Sequence, residues 1–143
     1  MNESGKLQKK SGKYILTFGY GNRKNYEEFF EYLELFDVTC VVDVRKNPRA
    51  WTRKWYGDQI EKACISKDVS YLSKSALGNT SGNRHWIPPD DLQASQALNE
   101  ITNLVTSGTV MLLCAEMDPS RCHRTEVADR LYDLVHIPIK HLK

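Results

Sequence analysis

Cys114, Glu116, Cys122, His123 and Arg124 place two thiols, a carboxylate, an imidazole and a guanidinium within eleven residues. A thiol is a nucleophile once it loses its proton. An imidazole or a carboxylate can move a proton, and a guanidinium fork holds an oxyanion. Cys122 follows Asp118-Pro119, a cap residue and a proline suited to a first helical position, so the sequence predicts Cys122 in the first turn of a helix. There the helix terminus, Arg121 and Arg124 lower a thiol pKa. Two readings follow. Cys122 is a nucleophile with His123 or Glu116 as acid or base, or it is a semi-buried structural cysteine. The residues six positions after Cys114 and Cys122 are Ser120 and Ala128, not the arginine that a thiol phosphatase loop requires. Cys114, Cys122 and His123 are ligand types for zinc, but there is no CxxC and no evident fourth ligand, so no metal site is expected. A Cys114–Cys122 redox pair is disfavoured because Cys114 belongs to a buried strand.

Two other strand ends carry polar residues. Asn22 and Arg23 follow the first strand, and Asp43 and Arg45 close the second. A parallel sheet opens all such ends on one edge, where ligands of α/β folds bind. Arg23, Arg45 and Arg124, with Asn22 and two helix amino termini, would hold a phosphate, carboxylate or sulfate. Asp43, Glu116, Cys122 and His123 are then the candidates for chemistry. The alternative is that Asp43 forms an internal ion pair and that the arginines neutralise Asp43 and Glu116, leaving nothing for a ligand.

Residues 45–56 hold five basic and three aromatic residues in twelve positions. Such a segment can track a single strand of nucleic acid and stack on its bases. It can equally be a solvated loop anchored by Trp51 and Trp55, or an oligomer interface.

These residues need a scaffold. Strand-like runs cover 14–19, 38–45, 69–72, 109–114 and 136–139, the last marked as an edge by Pro138. Between them lie helices starting near Asn25 (with Glu28 as a capping-box partner), Asp58, Asp90 or Asp91, and Pro119. Residues 73–89 read as a long loop. Alternating strands and helices imply a Rossmann-like α/β domain of three layers, with a mainly parallel sheet and helices on both faces. The 143 residues suit one such domain over 13–143, preceded by a flexible polar tail over 1–12.

A net charge of +2 does not mark a nucleic-acid binder by composition. Cysteines in apolar runs read as reduced thiols, and no segment reads as a signal peptide or membrane span, so the cytoplasm is the expected location and no membrane partner is expected. The expected partner is a phosphate-bearing small molecule or a nucleic acid, with no cofactor. The alternatives are a non-enzymatic nucleic-acid-binding module built on 45–56, or a thiol-based redox protein.

Thr17-Phe18-Gly19-Tyr20-Gly21-Asn22-Arg23, Val42-Asp43-Val44-Arg45 with Pro48, Leu77-Gly78, and Leu112-Leu113-Cys114-Ala115-Glu116 through Cys122-His123-Arg124 occur in an order that resembles the domain of unknown function 488 family. The resemblance spans about residues 14–137. It implies a single α/β domain with these motifs on one edge, and carries no activity with it. The chain departs from the family pattern at Ala50-Trp51, where a serine usually follows Pro-Arg, and at Ala76, where an acidic residue often precedes Leu-Gly.

Overall fold

Val110, Met111, Leu112 and Leu113 have no exposed surface, as a strand covered on both faces requires. They belong to β4 (Thr109–Cys114), the centre of a five-stranded parallel sheet. The computed structural model describes residues 12–21, 23–50 and 52–142. The expected tail, apart from Gly12, lies outside them, as do Asn22 and Trp51. The other strands are β1 (Ile15–Gly19), β2 (Val38–Asp43), β3 (Ser70–Ser73) and β5 (Ile139–His141), in the order β3-β2-β4-β1-β5. Helices α1 (Glu27–Leu35), α2 (Gly57–Ile65), α3 (Asp91–Ser107) and α4 (Arg124–Val135) connect them. The three-layer parallel architecture expected from the alternating pattern is therefore present. Among the described residues no helix is long and apolar enough to cross a membrane.

Period-two alternation sorts the strand residues into two cores. Leu16, Phe18, Val41, Met111 and Leu113 pack with Phe29 and Leu33 of α1 and with Ile60 and Cys64 of α2. Ile15, Val42, Val110, Leu112 and Cys114 pack with Ala94, Leu98 and Ile101 of α3 and with Val127 and Leu131 of α4. The chain leaves β1 and β2 toward the first face and β4 toward the second. The backbone therefore parts around the carboxyl end of β4, the arrangement that opens a crevice in α/β sheets.

Several boundaries differ from the sequence reading. The segment from Pro119 begins as a 3-10 turn, Pro119–Arg121, because the Asp118 carboxylate accepts the Ser120 N–H (3.0 Å) and hydroxyl (2.8 Å). α4 starts only at Arg124. Cys122 is thus extended (φ −123°, ψ 139°) and precedes the helix instead of lying in its first turn. Asn25 accepts the Glu27 N–H (3.0 Å), but Glu28 pairs with Arg23 (2.7 Å) and closes no capping box. Asp90, not Asp91, caps α3 by accepting the Gln93 N–H (2.9 Å). The last strand is shifted to 139–141, since His136 takes the left-handed conformation (φ 55°) that closes α4. Its place at the sheet edge agrees with the Pro138 signal. Within 73–89, Ser75–Leu77 forms a further 3-10 turn, and Asn79, Thr80, Ser81 and Asn83 tie the loop to itself.

Burial gives one prediction about alkaline stability. The Cys64 thiol, wholly buried in the first core, is pushed up to about 12 by desolvation. An unfolded thiol titrates near 8.5, so above that pH the unfolded chain releases a proton that the fold retains. Stability is then lost as pH rises from about 8.5 toward 12, by up to about 1.4 kcal/mol per pH unit for this group. Urea midpoints at neutral and alkaline pH should fall less steeply in Cys64→Ala than in wild type. Equal slopes would show that the Cys64 proton does not contribute.

Candidate functional site

The end of β2 carries a buried acid–arginine pair. Arg45 Nε donates to Asp43 Oδ1 (2.8 Å) and Nη2 to Oδ2 (2.6 Å), a two-toothed fork. Tyr71 also donates to Asp43 Oδ2 (2.6 Å). Arg45 Nη1 donates to the Trp55 carbonyl (2.7 Å), the Tyr20 hydroxyl (3.2 Å) and the Arg49 carbonyl (3.3 Å). Asp43 is fully buried and Arg45 5% exposed, so neither ion meets water to any useful extent. Burial works against charge on Arg45, but the hydrogen bonds and charge of Asp43 outweigh it and raise its pKa. Burial, reinforced by the Asp43 charge, likewise raises Tyr71. Asp43 thus forms the internal ion pair that was the alternative to a catalytic role, and Arg45 staples the 44–56 loop to the sheet.

Arg23 lies on the same side. Its Nε donates to the Gly19 carbonyl (2.8 Å), Nη1 pairs with Glu28 (2.7 Å), and its guanidinium sits 4.4 Å from the Phe18 ring centre. Its Nη2 is buried with no hydrogen-bond partner among the described residues. Arg124 is fully buried too, and its bonds go to the carbonyls of Glu116 and Met117, fixing the loop after β4. Glu116 is half-buried and accepts the Asp118 N–H (3.2 Å). Gly19 explains how this loop can cross β1: a Cβ there would lie 1.9 Å from the Glu116 carbonyl oxygen. The Arg45 guanidinium therefore binds Tyr20 and Trp55, and Arg23 meets Trp55 through its backbone carbonyl, whereas the bonds of Arg124 run to the β4–α4 loop.

Cys114, Cys122 and His123 come together on the opposite face of the sheet, beside α3 and α4. His123 Nδ1 is 3.9 Å from Cys122 Sγ and 4.0 Å from Cys114 Sγ. Its Nε2 lies 3.0 Å from the Val44 carbonyl and 3.1 Å from the Leu77 carbonyl. Both oxygens are acceptors, so Nε2 carries the proton. The Leu77 carbonyl reaches the ring because Gly78 crosses Lys46 so closely that a Cβ would lie 2.5 Å from the Lys46 Cα. The two sulfurs lie within 4.8 Å of each other, and each shifts the other's ionisation. The Cys114 thiol beside it pulls Cys122 below the ordinary thiol range, against burial and with help from His123 and the Arg124 amide. The Cys122 sulfur, reinforced by burial, holds Cys114 well above the ordinary thiol range. Burial lowers His123, but the Cys122 sulfur outweighs it and the imidazole pKa is raised. All four cysteines are free.

A cleft of about 1030 Å³ opens between the loops after β1 and β2. Arg23, Lys24, Arg49 and Lys54 line it with positive charge, and Tyr20, Trp55 and Tyr56 with aromatic surface. No acidic side chain lines it among the described residues. Lys24, Arg49 and Lys54 are exposed. Trp55 is only 2% exposed and stacks on Tyr20 (centres 5.1 Å apart, planes 13° apart), so it serves as the floor of the cleft. Trp51 and Asn22 belong to the two loops but lie outside the described residues.

The sequence candidates thus do not share one site. Arg23 lines the cleft, with the Asp43–Arg45 pair on the same side of the sheet; Cys122 and His123 join Cys114 in a buried group on the other, while Arg124 and Glu116 hold the loop after β4. Sequence reasoning missed Lys24 as a cleft residue, and Tyr20 and Tyr71 as partners of the ion pair; only the fold brings them there. A family model described as a domain of unknown function, DUF488, matches residues 25–131, about three quarters of the chain. No curated protein and no solved structure matches significantly.

Proposed function

The chain belongs to the DUF488 family, a domain of unknown function, and on that footing we propose that its cleft binds a nucleotide unit, free or within a single strand of nucleic acid. The observation that carries the reading is the lining: four cationic side chains and three aromatic rings with no carboxylate among them. Such a surface attracts an oxyanion and offers a flat apolar face to a base. The volume is at the upper end of ordinary ligand sites and large enough for a mononucleotide. The position beside the carboxyl ends of β1 and β4 is where α/β sheets bind ligands. Because Arg45 and Asp43 satisfy each other, the ligand's charge is left to Arg49, Lys54 and Lys24, with Arg23 behind them.

The test is thermal stabilisation and direct titration with nucleotides and short oligonucleotides. Binding should raise the unfolding midpoint, since a ligand at 100 times its Kd stabilises by about 2.7 kcal/mol. Arg49→Ala with Lys54→Ala should weaken binding by about 10-fold or more and leave the free protein's midpoint unchanged, because both side chains are exposed. Affinity should also fall with salt, with a log–log slope near −0.7 per phosphate engaged on a single strand. If millimolar nucleotides and oligonucleotides leave the midpoint where it was, the cleft does not bind this class.

A further inference from the structure

We propose that Cys114, Cys122 and His123 form a binding site for one zinc ion, with three protein ligands and the fourth coordination position left open. The two sulfurs and the imidazole Nδ1 all lie within 4.8 Å of one another. A triangle of that size admits one ion at zinc–sulfur and zinc–nitrogen distances of about 2.3 and 2.0–2.1 Å after small adjustments. Two thiolates and one imidazole around an open position is a ligand set that zinc accepts.

The second observation is the anchoring of His123. Its Nε2–H is shared between the carbonyls of Val44 and Leu77, which come from the loops after β2 and β3. That fixes the tautomer and leaves the Nδ1 lone pair on the side of the two sulfurs. A ligating histidine whose other N–H is held by a backbone carbonyl is the usual outer-shell arrangement at metal sites.

Charge and burial are compatible with the ion. Cys114, Cys122 and His123 are 7%, 6% and 7% exposed. One divalent cation with two thiolates and a neutral imidazole adds no net charge to this interior, which limits the cost of burial. The neighbouring Arg124 guanidinium is bonded through Nη1 and Nη2 to the Glu116 and Met117 carbonyls, and its Nε has no hydrogen-bond partner among the described residues. Hard cations are disfavoured, since sulfur and imidazole ligands select zinc or copper(I) over magnesium or calcium. The site is separate from the cleft, so it stands or falls without the nucleotide reading.

Zinc should be titrated into the full-length, fully reduced chain against a chromophoric chelator, and cobalt(II) into a parallel sample followed by absorbance. Cobalt should give an intense thiolate-to-metal band with the d–d bands of a four-coordinate site. Cys122→Ser and Cys114→Ser should each lower zinc affinity by about 100-fold or more and weaken the cobalt band, while Cys40→Ser and Cys64→Ser keep both. Circular dichroism of each variant separates ligand loss from unfolding. If Cys122→Ser does not fold, alkylation mapping answers the question: zinc should protect Cys114 and Cys122 from a small maleimide. Zinc affinity unchanged in a folded Cys122→Ser, no thiolate band with cobalt, or a Cys114–Cys122 disulfide that a thiol oxidant forms as fast with zinc as without it would each overturn the assignment.

Discussion

Arg45→Ala is expected to cost the fold about 3–5 kcal/mol, a large part of the stability of a domain of this size. The cost comes from what remains behind. Asp43 is fully buried and, among the described residues, would keep only the Tyr71 hydroxyl and the backbone N–H of residue 45 as hydrogen-bond donors. The Trp55 carbonyl and the Tyr20 hydroxyl would lose the same donor, so the 44–56 loop would lose its tie to the sheet. Arg45→Lys should recover little, because a single ammonium cannot match both carboxylate oxygens and also reach Trp55. Asp43→Leu combined with Arg45→Met should be much less damaging than Arg45→Ala, since it removes both ions and fills the space. Urea unfolding of the four proteins tests the ordering. An Arg45→Ala protein within about 1 kcal/mol of wild type would mean that Asp43 is solvated or neutral in the fold, contrary to its burial.

The same pair shows what a sequence can and cannot convey. Val38–Asp43 reads as a doubly covered strand, and its alternation correctly sets Asp43 and Arg45 on one side. What alternation does not convey is the sheet register. Asp43 pairs with Leu113, so it faces the first core, while Cys114, one residue further along β4, faces the second. Residues gathered at one sheet edge are therefore divided between its two faces. Nor does a count of arginines reveal their acceptors. Two Arg124 nitrogens donate to carbonyls seven and eight residues earlier, and Arg45 Nη1 donates to a carbonyl ten residues later. Proline at 119 is a sound helix-start signal by composition, but the Asp118 carboxylate stabilises a separate turn and delays the helix to Arg124. The anchoring of His123 by residues 46 and 79 positions away has no local signature at all. The basic-aromatic segment was ambiguous because tryptophan serves recognition and cores alike; the rings around Trp55 decide its case.

Those rings make Trp55→Ala the other severe substitution. Its indole stacks on Tyr20 and meets Phe18, Tyr26 and Phe29 at centre distances of 5.0–6.3 Å. Its Nε1 donates to the Arg23 carbonyl (3.1 Å), linking the loops after β1 and β2. Truncating a buried tryptophan typically costs about 3–5 kcal/mol, from lost apolar burial and the cavity that remains. Here the cavity would open under the cleft, and the Arg23 carbonyl would lose its donor. Trp55→Phe keeps most of the ring packing and removes the N–H, so it should cost less, about 1–3 kcal/mol. The consequence for binding is distinct from that for stability. If Trp55 is the floor of the cleft, Trp55→Phe should hold its ligand more weakly even where it is fully folded, because the two loops that carry Arg23 and Lys54 would no longer be tied at that point. Urea unfolding and ligand titration on the same preparations separate the two effects. If Trp55→Ala unfolds like wild type, the indole is not part of the core. If Trp55→Phe is destabilised but binds as tightly as wild type, the loop-to-loop tie does not shape the cleft.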